Sequence, residues 1–105
     1  TIISEHRPDH AAIEKIIYVQ SIRTAITMGS ARGAALTALG KFEMDITEYP
    51  AKTIKSAVTG TGAAKKNQVA FMIRALLGMD RTPDSDEGDA LAIALTHARR
   101  LKSVA

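Results

Sequence analysis

Cysteine is absent from this 105-residue chain, which excludes a disulfide framework and any thiolate metal site. Long apolar runs are also missing, and none reaches the roughly 18 residues that a membrane-spanning helix needs. No signal-peptide pattern stands at Thr1, so a cytoplasmic protein without a membrane partner is expected. Charge of one sign is in short supply: a net charge of +3 suits a polyanionic partner but does not demand one. An initiating Met is missing too. Thr1-Ile2-Ile3-Ser4-Glu5-His6 reads like the tail of a helix already under way, so residues preceding Thr1 are expected.

What is there is ordinary in bulk. With 46% hydrophobic and 24% charged residues, the chain has the composition of one small globular domain and not of a disordered segment. Arg7-Pro8-Asp9 reads as a turn, because Pro8 removes a donor and biases Arg7 away from helix. A strand is expected over 10–18, apolar and β-branched towards its end, covered on both faces and interrupted by one carboxylate, Glu14. Helix follows over 21–39. Ile22, Ile26, Gly33, Leu36 and Leu39 recur at helical spacing there, and small residues fill much of the remaining surface. A helix apolar on more than one side is either deeply buried or pairs with another molecule.

A second strand is expected over 45–49, and Pro50 opens a short helix to residue 58 that carries Lys52 and Lys55. After the turn 59–62, helices are expected over 63–77 and 85–101. The order β-α-β-α-α-α implies a layered α/β domain. Two strands are too few to cover these helices, so further strands are expected upstream of Thr1 or from another molecule.

Chemistry concentrates in three places. Asp84-Ser85-Asp86-Glu87-Gly88-Asp89 puts four carboxylates at a helix start. Asp86 and Asp89 are three apart and share a helix face, and the positive end of the dipole relieves only part of their repulsion. Capping is one reading, and an oxygen-ligand site for a hard cation such as Mg²⁺ is the other. Glu14 is the second place. A carboxylate within a strand is costly to bury unless paired or metal-bound, and ligands collect at the carboxyl ends of strands in such sheets. Three carboxylates converging there would match a two-metal phosphoryl-transfer site. The third place is Gly60-Thr61-Gly62 with Lys55, Lys65 and Lys66 beside it. Glycines ahead of a helix expose N–H groups that favour phosphate, although such a pair is often only a turn. Tyr18 is a candidate base-stacking platform, Phe71 is expected in the core, and His97 is expected to be structural. His6 and His10 are expected to lack partners.

Together these pieces resemble one family, the RuvC-type Holliday junction resolvases of the ribonuclease H-like superfamily. The resemblance rests on Pro8-Asp9 with Ala12-Ile13-Glu14, on Ala31-Arg32-Gly33, on Lys52 to Lys55 and Gly60 to Lys66, and on Asp86 through His97. It implies a ribonuclease H-like mixed sheet flanked by helices, here truncated at the N-terminus, with 1–105 forming one partial domain. It further implies a homodimer, joined through the helix over 21–39, that binds four-way DNA junctions and nicks them in pairs. Glu14, Asp86 and Asp89 would hold Mg²⁺, two ions per complete site with Mn²⁺ able to substitute. Lys55 and Lys66 would act at the scissile phosphate, and Lys52, Gly60, Gly62, Lys65 and Tyr18 would contact DNA. A branch-migration helicase complex is the implied partner assembly.

Two features depart from the family. Its first carboxylate comes from an Asp-x-Gly motif on an N-terminal strand, and no such motif precedes Glu14. Without it the metal site is incomplete and no cleavage is expected. The aromatic junction wedge is replaced by Ile17, with Tyr18 beside it as a substitute. The alternatives are an inert dimeric DNA-binding fragment of the same fold and another ribonuclease H-like nuclease.

Overall fold

The computed structural model of the protein describes residues 2–15 and 21–104. In chain order they form α1 (Ile2–His6), β1 (His10–Lys15), α2 (Ile22–Gly40), β2 (Asp45–Pro50), α3 (Ala51–Thr59), α4 (Lys66–Leu77) and α5 (Ser85–Val104). The chain divides into two compact units, Thr1–Glu48 and Tyr49–Ala105. The α/β order matches the one expected from the sequence.

In the first unit, the turn after α1 forms as expected. Arg7 closes it with a φ of 45° and donates its N–H to the Ile3 carbonyl at 2.9 Å. β1 pairs with β2 in a two-stranded sheet. The expected continuation of β1 to residue 18, with Ile17 and the candidate stacking residue Tyr18, lies outside the described residues. Coverage of β1 on both faces is not found. Ala11, Ala12 and Ile13 are half-buried, while Glu14 and Lys15 are exposed, because a lone pair of strands cannot cover both of its faces.

Ser21 caps α2, its hydroxyl accepting the Thr24 N–H at 3.1 Å. Arg32, Leu36 and Leu39 form a half-buried stripe at helical spacing, and Ile26 and Met28 stay exposed. None of the residues described in this unit is fully buried.

The second unit holds the core. Pro50 is extended, with φ −64° and ψ 149°, and directly precedes α3, which ends where Gly60 adopts a φ of 89°. That conformation costs glycine little and other residues considerably more. α4 begins at Lys66 and not at the expected Ala63. The Thr61 hydroxyl accepts the Ala63 N–H at 3.2 Å, and the Gln68 amide oxygen accepts the Lys65 N–H at 2.7 Å. Those side-chain bonds hold 61–65 as a turn and move the helix start. Gly78, at φ 63°, closes α4.

α3, α4 and α5 pack against one another pairwise. Ile54 and Val58 of α3, Ile73 of α4 and Ala92 of α5 are buried, as are Tyr49 of β2 and Ala64 of the loop before α4. On α5 the buried stripe runs Gly88, Ala92, Thr96 at a spacing of four, and the Thr96 hydroxyl donates to the Ala92 carbonyl at 2.8 Å. Small residues on that stripe let the neighbouring helices approach closely. Arg99 of α5 donates to the Ala57 carbonyl near the end of α3, satisfying an orphan acceptor there. Phe71 corrects the expectation of a core position: it is 67% exposed, because the opposite face of α4, through Ile73, turns to the core.

Ile73 is fully enclosed at 0% exposure. Truncating it to alanine leaves a cavity among three helices, a loss of roughly 2–5 kcal/mol. Urea unfolding of Ile73→Ala is expected to show a lower midpoint with an unchanged slope.

Candidate functional site

In the second unit the candidate site is built on the start of α5. Pro83 and Asp84 precede the helix, and Asp84 takes the cap position. Its carboxylate accepts the Glu87 N–H at 2.9 Å, and the Glu87 carboxylate accepts the Asp84 N–H at 3.1 Å. This reciprocal box satisfies donors that a helix start otherwise leaves open. Arg81 grips the same Glu87 carboxylate with two 2.7 Å hydrogen bonds. Those bonds, followed by the Asp84 N–H, hold Glu87 well below the usual carboxylate range, at about 2.

Two of the four acids are therefore occupied by capping, and two are left over. Asp86 and Asp89 are exposed on the first turns of α5. Among the described residues Asp86 makes no hydrogen bond or ion pair. Asp89 faces Lys66 at the start of α4, with Lys66 Nζ 3.4 Å from Asp89 Oδ2. A hollow of about 230 Å³ lies here, its lining including Lys66, Asn67, Pro83, Ser85 and Asp89. The hollow thus brings one expected metal ligand against one expected phosphate contact.

The glycine loop has a structural account of its own. Gly60 is the left-handed cap of α3. A Cβ added at Gly62 would meet Lys52 Cγ at 2.6 Å, so Gly62 leaves room for the Lys52 stem to lie across the loop. Lys55 is half-buried on α3, and Lys65 is exposed immediately before α4. The first N–H groups of α4, at Lys66 and Asn67, lie outside the helical ladder, so the loop presents donors and ammonium groups together.

The first unit carries Glu14. It is exposed near the end of β1 beside a hollow lined by Ile13, Met28, Ala31, Arg32 and Ala35. The Arg32 guanidinium donates to the Glu14 carbonyl at 3.1 Å and to the Glu48 carboxylate at 2.5 Å. One arginine therefore ties α2 to the backbone at Glu14. His10, expected to lack a partner, stands 3.9 Å from the Asp45 carboxylate.

Within either unit, no three described His, Asp or Glu side chains gather as a metal cluster. The donor chemistry of Asp86 and Asp89 still fits a hard cation. They are two oxygen ligands one turn apart, and Mg²⁺ is often held by one or two carboxylates while it keeps waters and substrate oxygens.

Sequence reasoning missed the division of labour among the four acids, although Asp84-x-x-Glu87 has the spacing of a capping box. The Arg81 clamp carried no local signal. The structural role expected of His97 is found: it is buried, and a 2.6 Å hydrogen bond joins its Nδ1 to the hydroxyl of buried Tyr49.

Comparison with known proteins follows the same lines. A family profile described as crossover junction endodeoxyribonuclease RuvC matches residues 1–97. The RuvC protein of Akkermansia muciniphila is 54% identical over 96 residues, covering 91% of this chain and 58% of the relative. That of Marinobacter nauticus is 45% identical over 103 residues, covering 98% and 59%. Thermus thermophilus RuvC superposes with a TM-score of 0.85 at 34% identity, and its complex with a Holliday junction substrate with 0.90 at 35%. Each of these two matches covers 97% of this chain and 62% of the solved one. The chain thus spans about six-tenths of the length of these relatives, and its fold is the ribonuclease H-like α/β fold.

A test of the cap comes from its charge. A depressed carboxylate contributes stability above its unfolded value near 4.5 and loses it as pH falls towards about 2. Thermal melts of Glu87→Gln are expected to show a flatter pH dependence across that window than the parent chain.

Proposed function

Because the chain belongs to the RuvC family of crossover junction endodeoxyribonucleases, we propose that it works as part of a Mg²⁺-dependent nuclease that resolves four-way DNA junctions by paired nicking. The observation that carries this reading is the start of α5. Asp84 and Glu87 cap the helix, while Asp86 stays unpaired among the described residues and Asp89 faces Lys66. A helix start designed only for capping needs no second pair of acids.

In this reading residues 1–105 are part of one ribonuclease H-like domain. Asp86 and Asp89, with Glu14 from β1, hold Mg²⁺, two ions per complete site, and Mn²⁺ substitutes. Held by these carboxylates, the ions would supply Lewis acidity for the attacking water and for the charge on the departing oxygen. Lys66 shifts from Asp89 to the phosphate and, with Lys55, offsets the charge that builds there. Lys52, Lys65 and the loop at Gly60 and Gly62 hold the neighbouring backbone, and Tyr18 meets the bases at the crossing point. Homodimerisation through α2 is supported by the exposure of Ile26 and Met28, a state that a partner helix would relieve. A branch-migration helicase is the proposed assembly partner. No helix among the described residues is long and apolar enough to cross a membrane, and we place the protein in the cytoplasm.

In a longer chain that also carries the Asp-x-Gly strand, with Mg²⁺ and a labelled four-way junction, Asp89→Ala is expected to abolish nicking and leave junction binding largely intact. Nicking retained in that variant would refute the metal role. Binding without nicking in the parent of that longer chain would favour an inert dimeric DNA-binding protein of the same fold, and preference for an RNA–DNA hybrid would favour another ribonuclease H-like nuclease. Lys65→Ala is expected to weaken junction and duplex binding alike, lowering the slope of log affinity against log salt by about 1.

A further inference from the structure

A second hollow, of about 530 Å³, opens on the other side of the start of α4. It is within the size range of small-molecule sites. Its wall is one face of α4, where Asn67 and Phe71, and likewise Gln68 and Met72, stand four residues apart and so lie one above the other. Thr59 and Thr61 form the opposite rim. Their hydroxyls are committed to the loop: Thr59 donates to the Lys55 carbonyl at 2.8 Å, and Thr61 accepts the Ala63 N–H at 3.2 Å. The Gln68 oxygen is committed to the Lys65 N–H. Among the described residues the Asn67 amide makes no hydrogen bond, and the Phe71 ring is 67% exposed.

The hollow therefore offers one aromatic face, a thioether and an amide with both donor and acceptor free. Asn67 also lines the hollow that contains Lys66 and Asp89, so the two meet at that residue. A ligand spanning them needs an anionic group for Lys65 and Lys66 and a flat ring with polar edges for Phe71 and Asn67. A nucleotide has both. Any base presents a π-face to an aromatic ring, and an asparagine amide matches the paired donor and acceptor of a base edge.

We propose that this hollow receives one unstacked nucleobase of the DNA strand whose phosphate lies at Lys65 and Lys66, stacked on Phe71 and met at its edge by Asn67. The proposal rests on the DNA-binding reading above and adds a base contact to its phosphate contacts.

The test uses fluorescence anisotropy with two short labelled single strands of equal length, one carrying bases and one abasic throughout. The parent chain is expected to bind the base-bearing strand about tenfold more tightly than the abasic one, the scale of a single stacking contact. Phe71→Ala and Phe71→Leu are each expected to bring the base-bearing strand down to the abasic level, leaving abasic affinity, melting temperature and oligomeric state unchanged. Equal parent affinity for both strands would overturn the base site and leave the phosphate reading standing. Binding to neither strand would overturn both. A tight Phe71→Leu beside a weak Phe71→Ala would mean apolar packing and not stacking. A Phe71→Ala variant with altered melting or oligomeric state would mean that Phe71 covers a protein surface. Either result would overturn the base site.

Discussion

Mutual repulsion among four carboxylates at the start of α5 is the constraint around which the second unit is arranged. A helix dipole worth about half a charge cannot offset four negative groups within six residues. The chain answers with two cations from different elements. Arg81, in the loop before the helix, binds Glu87 through both nitrogens of its fork, and Lys66, from the start of α4, stands against Asp89. The geometry of those two answers differs. The arginine pair is bidentate and closes a capping box, so it is structural. The lysine contact is single, long and exposed, a pairing of the kind that contributes little stability and is easily exchanged.

That difference separates scaffold from site. Asp84, Glu87 and Arg81 hold the helix start in place, while Asp86, Asp89 and Lys66 present their charges to solvent. What keeps the two helix starts close enough for Lys66 to reach Asp89 is the apolar packing of α3, α4 and α5 around Ile73, with the Gly88, Ala92 and Thr96 stripe allowing close approach. A loss of core volume would therefore be felt at the charged rim as well as in stability.

The first unit is built differently. It has no fully buried residue among those described, and its long helix α2 leaves Ile26 and Met28 exposed. Its polar organisation centres on Arg32, which joins the backbone at Glu14 to the carboxylate of Glu48. Such a charge-assisted bridge orients the end of β1 without needing a deep core beneath it.

Much of this was legible along the chain. The order of helices and strands, the turn at Pro8, the breaks at Gly60 and Gly78, and the acidic start of α5 all follow from local rules: fixed proline φ, glycine's access to left-handed backbone, and apolar spacing. The motif order also carried the family. What local rules could not supply was the partner of each charge. Which acids cap and which remain depends on Arg81 reaching Glu87 and on Lys66 reaching Asp89 from 23 residues away. Phe71 was misplaced for the same reason, since a helix with apolar residues on two faces does not reveal which face its neighbours will cover. The sequence by itself determined the elements and the residue types at each end; only tertiary packing decided which side chains meet, because those distances are set by how three helices fill one core.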